Sequence, residues 1–210
     1  MDKNQLINII KSFTPEDYKN NKVNLHIHTV FSDGKASAED ILSQAKQKGY
    51  KKIAVCDHNT LDAHKFLKDE ILIPAIEFDV WCGYVFMHLL AYGINPESEY
   101  LMPFLAKTKK ETEADIVRIF STRNIKKLIH AIHLSGGVAV IAHPACCWAI
   151  NPEKFIKKLI GYGLDGIEIY YPYKRHRGII KFHSSGTFEK IADKYGLLKT
   201  GGTDLHDKEL

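Results

Sequence analysis

The sequence predicts an α/β protein in which a largely parallel sheet closes, or nearly closes, into a barrel. One reason is that short apolar runs alternate with segments of helical periodicity along most of the 210 residues. Another is that six of these runs contain, or lead into, histidines or acidic residues. The strands of such a barrel are buried, and their carboxyl ends meet at one face where chemically able side chains collect. The six runs cover residues 23–25, 53–56, 71–76, 85–87, 138–142 and 197–200.

Helices are predicted between the apolar runs. Ser37 is placed to cap one helix that Gly49 ends, and Asn151 precedes another that begins with proline. Apolar residues at helical spacing predict two more, at about 125–132 and 188–195, and each is followed by glycine. The chain therefore offers a helix to cover most of the predicted strands.

Two segments depart from this alternation. Residues 1–22 are predicted to form an N-terminal helical extension, because apolar residues from Leu6 to Phe13 follow the helical period. We expect this helix to cover the final strand, since only four residues follow His206; the alternative is that the chain is a fragment. The polar stretch at about 95–122 predicts a short helical insert. We interpret residues 23–210 as one barrel domain that carries this insert.

Composition restricts the function classes. The net charge of +4 does not call for a nucleic-acid duplex or a membrane surface, although it suits a phosphorylated substrate. No apolar stretch is long enough to cross a bilayer, the amino terminus lacks signal-peptide character, and four cysteines do not suggest a disulfide framework. We expect a cytoplasmic protein with no membrane partner, and the sequence shows no obligate protein partner.

The histidines and carboxylates predict a metal site that holds more than one ion. His26 and His28 are two residues apart on one predicted strand, so both side chains face the same way. Glu77 ends the third apolar run, and its two oxygens could bridge two ions. His88 lies inside an apolar run, where an unpartnered imidazole would be costly to bury. Each residue alone could be a satisfied core group, but their joint placement favours a ligand role.

Seven segments, in this order along the chain, resemble the motifs of the PHP domain, which is named for polymerase and histidinol phosphatase. The segments are His26-Ile27-His28, Ser32-Asp33-Gly34, Asp57-His58-Asn59-Thr60, Ile76-Glu77, His88, Ala142-His143-Pro144 and Gly202-Thr203-Asp204-Leu205-His206. The resemblance covers about residues 23–206. It implies a distorted (β/α)7 barrel that hydrolyses phosphate esters with metal-activated water.

The resemblance also implies three divalent ions, which could be Mn, Fe or Zn, and assigns their ligands. Glu77 is implied to be shared by the first two ions, and with Asp204 it is a candidate catalytic residue. The first ion would be held by His26, His28, Glu77 and Asp204, the second by Glu77, His88 and His143, and the third by Asp33, His58 and His206. Asp57 is a further catalytic candidate: it either orients a ligand imidazole or forms a turn, and the sequence favours neither.

The substrate prediction is a small phosphorylated molecule or a short nucleic acid. Asp33, where some PHP members carry histidine, makes the chain resemble the branch that acts on nucleotides more than the histidinol phosphatases. The insert departs from that branch because it is short and lacks an Arg-Pro-His element. Lys174, Arg175 and His176 lie in a basic, aromatic segment after the sixth apolar run, and they could grip a phosphate and stack a base. The alternative is a solvated loop.

Three other functions remain open at this stage. A histidinol-phosphate-type phosphatase is one alternative. An amidohydrolase-type barrel that attacks a carbonyl carbon also begins with His-x-His, but many of these use a carboxylated lysine where this chain has Glu77. A non-catalytic PHP scaffold would be expected to have lost ligands, and every ligand position here is filled by a competent residue.

Overall fold

The computed structural model describes residues 2–173 and 181–210 and shows a mixed α/β fold. The α/β class is therefore confirmed. Its strands are β1 Val23–Ile27, β2 Lys52–Val55, β3 Ala75–Cys82, β4 Val85–Tyr92, β5 Val138–Ile141, β6 Gly166–Tyr170 and β7 Leu198–Gly201. Its α-helices are α1 Lys3–Ser12, α2 Pro15–Lys19, α3 Ala38–Gln47, α4 Lys110–Glu113, α5 Asp115–Arg118, α6 Ile125–Leu134, α7 Pro152–Ile160 and α8 Ser185–Tyr195. Short 3-10 helices span Asp62–Lys65, Met102–Phe104 and Pro144–Cys146.

The described strands form two sheets. β1 and β2 pair in parallel, and the other five follow the order β3-β4-β5-β6-β7. Single bridges link the sheets, one from Ile27 to Leu205 and another from His58 to Glu77. The predicted (β/α)7 barrel is not confirmed, because no continuous ladder of hydrogen bonds closes the described strands.

The direction of β4 corrects the expectation of parallel pairing. β4 is antiparallel to both β3 and β5, while β5, β6 and β7 run parallel. A two-residue turn joins β3 to β4, and Gly83 in it has a φ of +67°, a conformation that side chains disfavour. β3 also continues beyond Glu77 to Cys82, so Glu77 lies inside a strand and not at its end. The resulting hairpin pairs Asp79 directly with His88.

The predicted helices are present, with the expected caps. The Ser37 side chain accepts a hydrogen bond from the backbone N–H of Asp40 at 3.0 Å, and Asn151 caps α7 in the same way. Gly196 ends α8 in the left-handed conformation. These caps set where the helices begin and end, and so where the strand-end loops can reach.

The N-terminal helix α1 packs on the sheet. Leu6 and Ile10 of α1 are buried in one apolar cluster with Leu198 of β7. Gly93, which follows β4 at a φ of +67°, allows this approach, since a Cβ at that position would lie 2.4 Å from Leu6 Cδ2. Helix α1 therefore covers the final strand. No helix in the described part of the chain is long and apolar enough to cross a bilayer.

The insert predicted at 95–122 follows β4 and contains α4 and α5. Its backbone is tied to the β2–β3 region, because the Ala106 N–H donates to the Asn59 carbonyl oxygen at 2.8 Å. At the end of α5 it places Arg118, which is 5% exposed, among the predicted metal ligands. The insert is thus one wall of the site and not a separate lobe.

Candidate metal centre

Glu77 lies at the centre of the predicted ligands. Its carboxylate is fully buried, and each oxygen faces imidazole nitrogens. Oε2 lies 3.2 Å from Nε2 of both His26 and His28 and 3.4 Å from Nε2 of His58. Oε1 lies 3.3 Å from His88 Nδ1 and 3.4 Å from His143 Nε2. One carboxylate therefore contacts imidazoles carried by β1, the β2 loop, β4 and the β5 loop.

Asp204 and His206 close the site from the loop after β7. Asp204 Oδ1 lies 3.0 Å from His28 Nε2, while its Oδ2 accepts a hydrogen bond from the Tyr171 hydroxyl at 2.8 Å. Asp204 has a φ of +49°, an uncommon conformation that aspartate tolerates better than most residues. His206 Nε2 lies 3.1 Å from Asp33 Oδ1, which brings the β1 and β7 loops together.

The nine predicted ligand residues gather in this one place. Eight of them form three overlapping sets, and within each set the potential donor atoms lie within 4.8 Å of one another. The sets are His26, His28, Glu77 and Asp204; His28, Asp33, His58 and His206; and His58, Glu77 and His88. The first set has the same members as the first predicted ion site. His143 reaches Glu77 but belongs to none of the sets, so which residues hold which ion remains a prediction.

The chemistry of these atoms fits divalent cations. Within the described residues, five buried atoms face one another without forming a hydrogen bond of good geometry: Nε2 of His26 and His28, Nδ1 of His88, and both Glu77 oxygens. A buried polar atom without a partner is costly, and a cation satisfies lone pairs of nitrogen and oxygen together. Imidazole with carboxylate suits Mn, Fe or Zn.

The electrostatics of the site favour positive charge. Burial would raise the pKa of Glu77, but His26, His58 and His88 outweigh it and hold that pKa well below its usual range. Burial would lower the pKa of His28, but Asp204 and Glu77 raise it to about 9. Burial would also lower the pKa of His88, but Glu77 and Asp79 raise it to about 10. Protons and metal ions would therefore compete for these imidazoles.

Glu168, in β6, contacts two of the candidate ligands. Its Oε1 lies 2.9 Å from His26 Nδ1, and its Oε2 accepts from the His143 backbone N–H at 2.8 Å. His143 has a φ of +27°, so this hydrogen bond helps to hold a strained backbone in place.

Asp57 lies beside the loop that follows β1. Its carboxylate accepts hydrogen bonds from the Thr29 backbone and hydroxyl, each at 2.7 Å, and from the Ser32 hydroxyl at 2.6 Å. It therefore shapes the loop after β1 and, among the described residues, approaches a ligand imidazole only through Ser32, whose Oγ is 3.5 Å from His28 Nδ1. A catalytic role for Asp57 remains a prediction.

The predicted substrate loop lies outside the described residues. Lys174, Arg175 and His176 all fall in the segment 174–180. The residues just before that segment border the site, since the Tyr171 ring lies 5.2 Å from the His143 ring. By contrast, the helix histidine His133 pairs with Asp165 at 2.7 Å and takes no part in the site.

Sequence reasoning missed two charged residues that the structure places in the site. Asp79 lies between His58 and His88, and Arg118 lies between Asp79 and Asp33. Asp79 carried a usable signal, because it follows Glu77 by two residues and so shares its face of β3. Arg118 carried none, because a cation in a polar insert is most simply a solvated surface residue.

A cavity of about 290 Å³ opens onto the candidate metal ligands. Its walls include His88, His143 and Asp204, with Arg118 at one side. Phe86 and Ile119 add an apolar surface beside these polar groups. A molecule with one charged end and one apolar end would match this lining.

Comparison with known families settles where the chain belongs. The PHP domain profile matches residues 24–161, about two thirds of the sequence. The chain belongs to the PHP domain family. An uncharacterized protein of Methanocaldococcus jannaschii is 26% identical over 196 residues, which cover 90% of this chain and 83% of that protein. The phosphoribosyl 1,2-cyclic phosphate 1,2-diphosphodiesterase of Eggerthella lenta is 21% identical over 254 residues, covering 88% and 94%.

Solved structures share the fold of this chain. An amidohydrolase from Chromobacterium violaceum, determined with bound sulfate and no metal, superposes with a TM-score of 0.70 at 17% identity, covering 89% of this chain and 88% of that one. A protein from Bifidobacterium adolescentis assigned as a metal-dependent phosphoesterase gives a TM-score of 0.65 at 20% identity, with 88% and 87% covered. At these identities the likeness establishes the fold alone.

Proposed function

We propose that this protein is a hydrolase that cleaves phosphate esters with the help of divalent metal ions. The observation that carries the proposal is that five buried nitrogen and oxygen atoms, two of them from Glu77, converge without a hydrogen bond of good geometry. Such an arrangement is costly in an ordinary core but is suited to cations. Membership in the PHP family and the ligand set that the motifs imply support the same function.

Bound divalent ions would supply an activated water and neutralise charge on the phosphoryl oxygens. The residues of this chain hold that chemistry in place. Glu77 would be shared between ions, since both of its oxygens face imidazoles. The Tyr171 hydroxyl fixes one oxygen of Asp204 and leaves the other toward His28. Three ions, of Mn, Fe or Zn, remain our expectation.

For the substrate we favour a nucleotide or short oligonucleotide. The cavity supports this choice, because Phe86 and Ile119 offer an apolar surface for a flat base beside the metal ligands. The Eggerthella lenta relative is named for a cyclic phosphate of a phosphoribosyl group, which is a sugar phosphate of related chemistry. Lys174, Arg175 and His176 are proposed to grip the phosphate. A histidinol-phosphate-type phosphatase is the alternative, and the filled ligand positions disfavour a scaffold.

The test combines metal analysis with a substrate panel. The protein purified without added metal should contain more than one divalent ion per chain. With Mn²⁺ it should release phosphate or nucleoside from mononucleotides, nucleotide bisphosphates or short RNA and DNA faster than phosphate from histidinol phosphate. Preference for histidinol phosphate would reverse the substrate proposal alone. Bound metal without activity on any phosphoester would contradict the phosphoesterase proposal.

A matched pair of histidine variants makes the test specific. His88→Ala removes a nitrogen 3.3 Å from the Glu77 carboxylate, whereas His133→Ala removes a surface imidazole outside the site. The first should lose metal and turnover, and the second should keep both. The protein is expected to act in the cytoplasm and without an obligate protein partner, which fractionation and size-exclusion chromatography can examine.

A further inference from the structure

Asp79 is a buried carboxylate to which no ion has been assigned. It is fully buried, and four side chains surround it. Its Oδ2 lies 3.4 Å from His58 Nδ1 and accepts from the Asn59 amide. Its Oδ1 lies 3.1 Å from His88 Nε2 and 3.4 Å from Arg118 Nε. A charge that is buried this completely is stable only when hydrogen-bonding or oppositely charged groups surround it.

Asp79 and Glu77 contact opposite sides of the same two rings. His58 turns Nε2 toward Glu77 and Nδ1 toward Asp79. His88 does the reverse, with Nδ1 toward Glu77 and Nε2 toward Asp79. The strand geometry imposes this arrangement, since residues 77 and 79 share one face of β3 and His88 lies directly across from Asp79 in the antiparallel pair.

A neutral imidazole has one N–H donor and one lone pair, and only the lone pair can bind a cation. A carboxylate beside one nitrogen keeps the proton there, which leaves the lone pair on the other nitrogen. We propose that Asp79 is a positioning residue that sets the metal-binding tautomers of His58 and His88. It holds the proton on His58 Nδ1 and on His88 Nε2, and so directs His58 Nε2 and His88 Nδ1 to the metal centre.

Arg118 places a positive charge beside this carboxylate. Its guanidinium joins Asp79 to Asp33, whose Oδ2 lies 3.2 Å from both terminal nitrogens of the arginine. Asp33 Oδ1 is left facing His206 at 3.1 Å. The insert therefore contributes the counter-charge that orients ligands of two donor sets at once. Replacement of Asp79 by asparagine would keep the size of the side chain but remove its charge and turn one of its two acceptor oxygens into an N–H donor.

The inference rests on the proposed metal centre, and the wild-type protein tests it directly. Imidazole nitrogen shifts of the Zn²⁺-loaded, ¹⁵N-labelled protein report which nitrogen carries the proton. We expect the proton on His58 Nδ1 and on His88 Nε2. The opposite tautomer at either residue would overturn the inference while the metal centre stands. A wild-type protein that takes up no Zn²⁺ would overturn the metal centre and the inference with it.

The variant Asp79→Asn gives the energetic test, with Asp165→Asn as the matched control. Both lose a carboxylate that contacts a histidine, but Asp165 bonds His133 outside the site. Titration of metal-stripped protein with Zn²⁺ should show a roughly 10- to 100-fold weaker affinity for Asp79→Asn, the usual range for losing such a partner. Asp165→Asn should bind as the wild type does.

Asp79→Glu, which restores the charge, should recover part of the affinity and the same tautomers. Wild-type affinity in Asp79→Asn would overturn the inference. So would an equal loss of affinity in the two asparagine variants, because it would show a general effect of destabilisation.

Discussion

Glu77→Gln should disturb the metal centre more than the loss of any single histidine. The substitution keeps the size of the side chain and removes its charge. The two Glu77 oxygens face nitrogens of five imidazoles at 3.2 to 3.4 Å, so any ion shared with those imidazoles lies close to the carboxylate. The structure therefore predicts that one change weakens two ion sites together.

The expected size follows from simple electrostatics. Two unit charges about 4 Å apart interact by about 4 kcal/mol at an effective dielectric constant of about 20. Each 1.4 kcal/mol changes an equilibrium constant about tenfold, so the loss corresponds to roughly 10³ in affinity for each unit of cation charge. The glutamine oxygen can still act as a ligand and offsets a part of this. His206→Ala removes a nitrogen 3.1 Å from Asp33 that is predicted to belong to the third ion alone, so it should weaken one ion.

The assay is elemental analysis after dialysis, followed by titration with Mn²⁺ or Zn²⁺. Glu77→Gln is expected to bind about two fewer ions per chain and to lose nearly all turnover, whereas His206→Ala should keep more metal and more turnover. Thermal unfolding in EDTA serves as the control that each variant is folded. Full metal content and near-normal turnover in Glu77→Gln would refute the bridging role. A greater loss in His206→Ala would refute the ranking.

Three further predictions concern the substrate, the pH dependence of folding and the packing behind the site. Replacing Lys174 and Arg175 with alanine should raise the KM for a phosphorylated substrate and leave metal content unchanged. Asp165 should stabilise the fold at neutral pH: burial raises its pKa, but hydrogen bonds from a histidine, a backbone N–H and a lysine outweigh this and lower it. That contribution is present above the unfolded pKa near 3.9 and is lost as the pH falls, so the gap in unfolding free energy between wild type and Asp165→Asn should shrink from about pH 6 to about pH 3. Gly202→Ala should destabilise the protein by about 1–3 kcal/mol and weaken metal binding, because the new Cβ would lie 2.4 Å from the Cβ of His26.

Each of these predictions has a control and a contrary result. Alanine at the exposed Lys126 and Lys127 of α6 should leave KM unchanged. Equal kinetics in this control and in the Lys174 and Arg175 double variant would contradict a role of the loop in substrate binding. A gap between wild type and Asp165→Asn that widens on acidification would show that the carboxylate is not stabilised in the fold. Gly186→Ala, whose Cβ would meet nothing closer than 3.6 Å, should be benign, and an equally benign Gly202→Ala would contradict the packing argument.

The convergence of the ligands could be predicted from the sequence because it depends on alternation. His26 and His28 share a face whatever the neighbouring strands do, and the loops after β5 and β7 begin where apolar runs stop. The helix caps were predictable for a similar reason, since Ser37 and Asn151 act within four residues of their own position. Side-chain alternation and helix capping depend only on residues close in sequence, so both could be predicted without knowing the fold.

The pairing of the strands could not be predicted in the same way. The direction of β4 depends on a two-residue turn at Gly83, and an apolar run alone does not reveal whether a turn or a helix connects it to the previous one. Arg118 was hidden for a different reason. Its burial depends on Asp33 and Asp79, which lie 85 and 39 positions earlier in the chain and meet it only in the folded protein.

The β3–β4 hairpin connects the metal centre to the choice of substrate. Its register pairs Glu77 with Leu90, Asp79 with His88, and Trp81 with Phe86. Because side chains alternate, these pairs occupy one face of the hairpin. Along this face, the candidate bridging carboxylate of Glu77 is followed by Asp79 and His88, and then by the aromatic rings of Trp81 and Phe86. The rings lie 5.3 Å apart, and Phe86 meets His88 edge to face at 5.5 Å. A substrate whose phosphate lies beside Glu77 would therefore extend its organic group over Phe86, which is the order of groups that a nucleotide presents.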